Sequence, residues 1–429
     1  MPKYLLIVLL FFESTIVFGQ PGHFNDTVAT YFNEIKTATA ENENIWGYNL
    51  YAPILLVRPA TREVYANSPD TAGLLKSDGT IHTCILPGTI NIANTSIHWG
   101  GRDWAMVMLP LPDNEHERLN ILAHELFHRA QPHLGFKLYN PDNNHLDQKE
   151  GRIYLRLELE ALKAALLASS REEMKRHLAN ALSFRLYRHK SYHGADSTEN
   201  LLELNEGIAE YTGVMLSGRN NEEMRTHFIR SIGSFLADNS YVRSFAYETL
   251  PVYGYLLSKT IRGWNKEISV KTNLTRYFVS GFSLGPLQDS RSVVDSLSNL
   301  YHGESIVAEE TRRDGRIKKQ IAEYKTKFLE QPHLDISLEN MNMSFDYKVI
   351  MPLEDAGTVY PTIRITDNWG ILTVTNGALM SPRWNKVSVS MPTQISGEIT
   401  TGDGWRLELK PGFVVRKDSV NRNYILSRQ

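Results

Sequence analysis

The run Ile121-Leu122-Ala123-His124-Glu125-Leu126-Phe127-His128 decides how this chain is read. His124 and His128 are four residues apart, and on an α-helix that spacing puts two side chains one turn apart on one face. The two imidazoles therefore point the same way and can grip one ion. Glu125 stands next to His124, so it flanks that ion without having to bind it. Two imidazoles and a flanking carboxylate are what a hydrolytic zinc site needs: a Lewis acid, and a base for the attacking water. Ile121, Leu122, Ala123, Leu126 and Phe127 are all uncharged, which predicts a buried helix through the motif. Arg129, just after it, departs from the uncharged residue usual there. Asp113 or Asn114 can cap this helix, and Pro132 and Gly135 can close it beyond about Ala130.

An open zinc site takes three protein ligands. One class places a third His six residues after the second, following a Gly. Here Gln131 and Leu134 occupy those two places, so that class fails, and His133 falls one residue off at the helix end. Further on, Leu204-Asn205-Glu206-Gly207-Ile208-Ala209-Glu210-Tyr211 carries two carboxylates, Glu206 and Glu210, four apart on one helical face. Gly207 and Ala209 are small, so this helix can press closely on the His helix. Asp147 and Glu150 lie nearer the motif in the chain and are further candidates for the third ligand.

Taken together, His124-Glu125-Leu126-Phe127-His128 and Asn205-Glu206-Gly207-Ile208-Ala209 resemble the paired motifs of the gluzincin metallopeptidases, especially those like aminopeptidase N. The resemblance implies a zincin-like catalytic domain holding Zn2+ through His124, His128 and Glu206. It implies Glu125 as general base, and Glu210, standing where the family usually has Asp, as the acid that orients a ligand His. It implies a peptide or protein substrate. Such enzymes often meet the oxyanion with a Tyr or His. Tyr211, Tyr253 and Tyr255 are candidates, with Tyr253 favoured because Pro251 and Gly254 disturb the helix around it. The strand Trp104-Ala105-Met106-Val107-Met108-Leu109 would pair with substrate backbone, Gly100-Gly101 would allow close approach, and Trp99 would line a pocket. Two departures limit the likeness, which spans about 113–260. The insert between His128 and Glu206 is longer by two predicted helices, and no G-x-M-E-N segment for a substrate amine is present. Zinc hydrolysis is therefore supported further than aminopeptidase specificity.

The rest of the 429 residues frames this reading. Lys3, the apolar run 4–12 and small Gly19 read as an export signal, 1–19, cleaved to leave Gln20 first. The protein is thus expected to be exported, periplasmic or secreted, with no stable membrane insertion after cleavage. A single cysteine, Cys84, precludes an internal disulfide and is expected to be a buried strand residue. With a net charge of −2 and no Lys/Arg block, a nucleic-acid partner is not expected. The fold class expected is α+β. A mixed, β-rich region at 50–110 leads into a nearly all-helical one at 113–330, the two forming one domain over 20–335, and a small all-β accessory domain fills 340–429. Ile54-Leu55-Leu56-Val57, Arg62-Glu63-Val64-Tyr65-Ala66 and Thr89-Ile90-Asn91-Ile92-Ala93 read as strands, and helices are expected at 24–37, 153–168, 171–188, 199–216, 221–236 and 247–259, the last broken or kinked by Pro251. Near the C-terminus, Ile363-Arg364-Ile365, Ile371-Leu372-Thr373-Val374-Thr375 and Val387-Ser388-Val389-Ser390 alternate, and Asp403-Gly404 signals a hairpin. The alternative to an enzyme is a non-catalytic zinc-containing protein of the cell envelope whose β domain binds a partner or polymer. The intact Glu125 argues for catalysis, since a structural site has no use for it.

Overall fold

The structure is a computed structural model that describes residues 21–136, 139–345 and 350–429. The expected export segment lies outside these residues. Among the described residues no helix is long and apolar enough to cross a membrane. The fold is α+β. Its helices are α1 (Pro21–Glu41), α2 (Glu115–Ala130), α3 (Lys149–Leu167), α4 (Arg171–Ser191), α5 (Ala195–Leu202) and α6 (Ile208–Leu216). They continue as α7 (Asn221–Phe235), α8 (Ala246–Ser258), α9 (Leu274–Gly281), α10 (Arg291–Ser298) and α11 (Gly303–Lys325). The described residues form two compact units that do not follow chain order: those up to 140 with 203–224 and 250–272 in one, and those of 141–202, 225–249 and 273–429 in the other. The helical region is therefore shared between them.

The first unit holds a six-stranded sheet. Its strands are β1 (Ile54–Val57), β2 (Glu63–Ala66), β3 (Lys76–Asp78), β4 (Ile81–Ile85), β5 (Thr95–Trp99) and β6 (Arg102–Met108), in the order β3-β4-β2-β1-β6-β5. β1 and β6 run parallel, with Ile54 opposite Ala105 and Val57 opposite Met108, and the other neighbours are antiparallel. All of β1 and the middle of β6 are buried, as continuous apolar runs require. Gly100 and Gly101 turn β5 into β6 with φ of +58° and +79°, the left-handed backbone that a tight hairpin needs. Cys84 in β4 is only partly buried.

Three expectations change here. Residues 89–93 are not a strand, although Ile90 and Ile92 still pack on the core. The Arg62 guanidinium donates to the carbonyls of Leu86, Pro87 and Ile90, so a side chain takes the acceptors that a ladder would have used. The strand 104–109 is paired on both sides, and the edge strands of the sheet are β3 and β5. Trp99 is buried in the core rather than lining a pocket, and its carbonyl accepts the Trp104 indole N–H at 2.8 Å.

In the second unit α3 and α4 pack as a helical hairpin across residues 168–170. Buried charges pin it. Arg185 Nε donates to Glu158 at 2.7 Å, and Arg188 reaches Glu158 and, through two nitrogens, Glu199 of α5. His145 and His189 also bond Glu199. Two carboxylates thus balance two guanidiniums with almost no exposure, and those partners hold the Glu199 carboxyl well below its usual range against the effect of burial.

The same unit ends in a β-sandwich. Its strands are β7 (His333–Ser337), β8 (Asn342–Phe345), β9 (Met351–Pro352), β10 (Thr358–Tyr360), β11 (Ile363–Asp367), β12 (Gly370–Val374) and β13 (Ala378–Met380). Then come β14 (Lys386–Ser390), β15 (Pro392–Ser396), β16 (Ile399–Gly402), β17 (Trp405–Leu409), β18 (Phe413–Lys417) and β19 (Tyr424–Arg428). One sheet runs β18-β19-β7-β14-β13-β10-β9 and the other β15-β16-β17-β12-β11-β8. Leu334, Ile336, Val387 and Val389 from the first share a core with Ile365, Leu372 and Leu407 from the second. The alternating runs lie where the sequence placed them, and Asp403-Gly404 joins β16 to β17. The β region begins at His333 rather than at 340. In the helical part, α8 runs through Pro251 instead of breaking there. A proline inside a helix removes one backbone bond, and here the turns on either side of it persist.

Candidate metal centre

The site is built where α2 meets α6, inside the first unit. Asn114 caps α2 by accepting the Glu117 N–H at 3.1 Å, and Glu115 and Glu117 in the first turn complement the helix dipole. Leu122, Ala123, Leu126 and Phe127 are completely buried. The helix lies against β5 and β6, so the apolar residues threaded through the motif fix its rotation. Arg129 does not disturb this, because its guanidinium turns outward to the Asp103 carbonyl. The close approach of α6 depends on Gly213, where a Cβ would sit 2.6 Å from the carbonyl and side-chain oxygens of Asn120.

Glu206 lies in a π-helical turn, Glu203–Gly207, that leads into α6. Such turns are rare and recur at functional sites. Glu206 and Glu210 then meet opposite sides of one imidazole. Glu206 Oε2 is 3.6 Å from His124 Nε2 and 3.2 Å from His128 Nε2, while Glu210 Oε2 is 2.9 Å from His124 Nδ1. The two Nε2 atoms are 2.9 Å apart. Among the described residues, His124, His128 and Glu206 are the one group of three His, Cys, Asp or Glu side chains that could hold a metal ion, their ligand atoms lying within 4.8 Å of one another.

Hydrogen bonding fixes the tautomers. Glu210 can only accept from His124 Nδ1–H, and its second oxygen accepts from Asn120 Nδ2 at 2.8 Å. Gln131 donates its amide N–H to the Asn205 carbonyl at 2.7 Å, which turns its Oε1 toward His128 Nδ1 at 2.8 Å. Both neutral imidazoles therefore carry hydrogen on Nδ1 and aim Nε2 lone pairs at the same point. Two lone pairs and a carboxylate oxygen converge there, and only a cation reconciles them. Ligands about 2.05 Å from a tetrahedral ion stand about 3.3 Å apart, close to the three separations here. Burial opposes charge on His124, but the bonds to Glu206 and Glu210 outweigh it and push its pKa up to about 10. A proton takes the cation's role when no metal does.

Glu125 is buried, and its Oε2 has no hydrogen-bond partner. Burial pushes its carboxyl pKa up, and the neighbouring histidines pull it back. An orphaned buried carboxylate oxygen beside a cation site fits a group kept for chemistry.

The other two candidates for the third ligand fall elsewhere. Asp147 accepts the Tyr241 N–H and an Arg152 bond, and Glu150 pairs with Arg291, all in the second unit. The Tyr211 hydroxyl accepts the Trp264 indole N–H, and Tyr255 bonds Asn221. Tyr253 is completely buried in α8. Sequence reasoning missed Asn120, Gln131 and Gly213. Gln131 had a signal, since it follows His128 by three residues and shares its face. No family model, curated protein or solved structure matches this chain.

Proposed function

We propose that this chain is an exported zinc hydrolase of the gluzincin type that cleaves peptide bonds, with His124, His128 and Glu206 as the ligands. The supporting observation is the convergence of three electron-pair donors beside the unpartnered Glu125 carboxylate. Zinc held there would polarise a scissile carbonyl and acidify a water. Glu125 would accept a proton from the attacking water and return it to the leaving nitrogen. In the metal-free protein burial raises its proton affinity and the two histidines lower it. Glu210 and Gln131 hold the imidazoles in the one tautomer that leaves Nε2 available. The free edge of β5 is the proposed rail for substrate backbone, in place of β6. Tyr253, buried in α8, is the proposed oxyanion partner on the resemblance alone.

The test is Glu125→Gln, assayed on a proteome-derived peptide library with zinc content measured in parallel. The variant is expected to retain one zinc per chain and lose turnover at least a thousandfold. Unchanged cleavage by the zinc-loaded variant would refute the mechanism. A wild-type protein that binds zinc and cleaves nothing would instead support the non-catalytic reading.

A further inference from the structure

We propose that the sandwich pocket beside Trp384 is a binding site for a saccharide, independent of the metal centre's chemistry. Trp384 sits in the loop between β13 and β14 and is 47 % exposed, the one tryptophan among the large exposed hydrophobic residues. Its backbone has φ of +57°, a conformation that a bulky residue adopts at a cost. Glu354, in the turn between β9 and β10, has φ of +48°. Two of the five described non-glycine residues with positive φ therefore line one pocket of about 340 Å3. Strain gathered in one place, on side chains that do not support the core, points to a retained function.

The lining selects the ligand. Its flat surfaces are Trp384, Pro352 and Pro382, and its short polar groups are Glu354, Asp355 and the Thr358 hydroxyl. Among the described residues no lysine or arginine lines it, so phosphate and carboxylate ligands find no counter-charge in the lining. The carboxylates make it a poor seat for an acyl chain. The Lys325 ammonium, 2.7 Å from Glu354, offsets one of the two acids and weakens the field that a cation would need. What remains is an aromatic plate for the C–H face of a sugar ring, with carboxylate and hydroxyl oxygens that accept from its hydroxyls.

The test is calorimetric titration of the full chain with cellohexaose, xylohexaose, chitohexaose and tetralysine. At least one hexasaccharide is expected to bind with a Kd below 1 mM, and Trp384→Ala to weaken it at least tenfold with unchanged zinc content. Trp384→Gly relieves the positive φ, so it is expected to keep or raise Tm while losing the saccharide. The proposal is overturned if no hexasaccharide binds, if binding survives in both variants, or if tetralysine binds in a Trp384-dependent way and the saccharides do not.

Discussion

Metal affinity should depend steeply on pH, and His124 sets the slope. In the metal-free protein its pKa lies at about 10 against an ordinary 6.5. A metal must displace that proton before it can take Nε2. At pH 7, about three units below 10, displacement weakens apparent affinity about a thousandfold, or about 4 kcal/mol at 1.36 kcal/mol per unit. Affinity should therefore tighten about tenfold per pH unit from pH 7 toward 10 and level above it. The sign is that of a raised pKa. The proton stabilises the metal-free fold fully below about 6.5, and that contribution is lost as pH rises through about 10. Toward acid, the burial-raised Glu125 carboxyl steepens the curve. The assay is competition against a chromophoric chelator from pH 7 to 9, with calorimetry in buffers of different ionisation heat to count protons released. At least one proton per zinc is expected. A flat affinity over that range, or no proton released, would refute the tautomer and charge assignment. Glu210→Gln should flatten the slope, because it removes one of the two bonds that raise the His124 pKa.

Gln131→Leu should weaken zinc binding about 10–100-fold, the usual cost of losing a partner that orients a ligand His, as read by the same competition. Gly213→Val drives a side chain into the Asn120 backbone and should destabilise the fold by about 1–3 kcal/mol in urea melts, with zinc affinity falling too. Glu199→Gln leaves buried Arg188 under-compensated and should cost about 3–5 kcal/mol. Because the Glu199 pKa is depressed, its contribution in the wild type is present above about 4.5 and lost only as pH falls well below that, which an acid titration of stability checks. Tyr253→Phe should lower kcat at unchanged zinc content.

Elements whose causes are local were legible in the sequence. Asn114 caps α2 through its own side chain, Ile54–Val57 is an uninterrupted apolar run, and β17 alternates residue by residue. The ligand trio was legible because spacing on two helices is itself local. What escaped depends on partners remote in sequence. Residues 89–93 have strand composition but surrender a carbonyl to Arg62, 28 residues away. Gln131 looks like a failed glycine until the Asn205 carbonyl arrives opposite, 74 residues on. The π-helical turn at Glu206 has no residue signature, since it is set by how α6 docks on α2. Gly213 reads as one more helical glycine until Asn120 is seen against it.

Charge balance at the site involves more than the three candidate ligands. Glu125, Glu206 and Glu210 bring three carboxylates into one largely buried space, and the tautomers leave both imidazoles neutral. A proton on His124 offsets only one of the three. A divalent ion offsets two, matching Glu206 on one side of the imidazole and Glu210 on the other. The remaining carboxylate is Glu125, whose Oε2 no other group satisfies. With a 2+ charge a few ångströms away, it is held ionised despite its burial. The ion that would balance the site electrostatically would therefore also leave the one residual negative charge on Glu125, the proposed base.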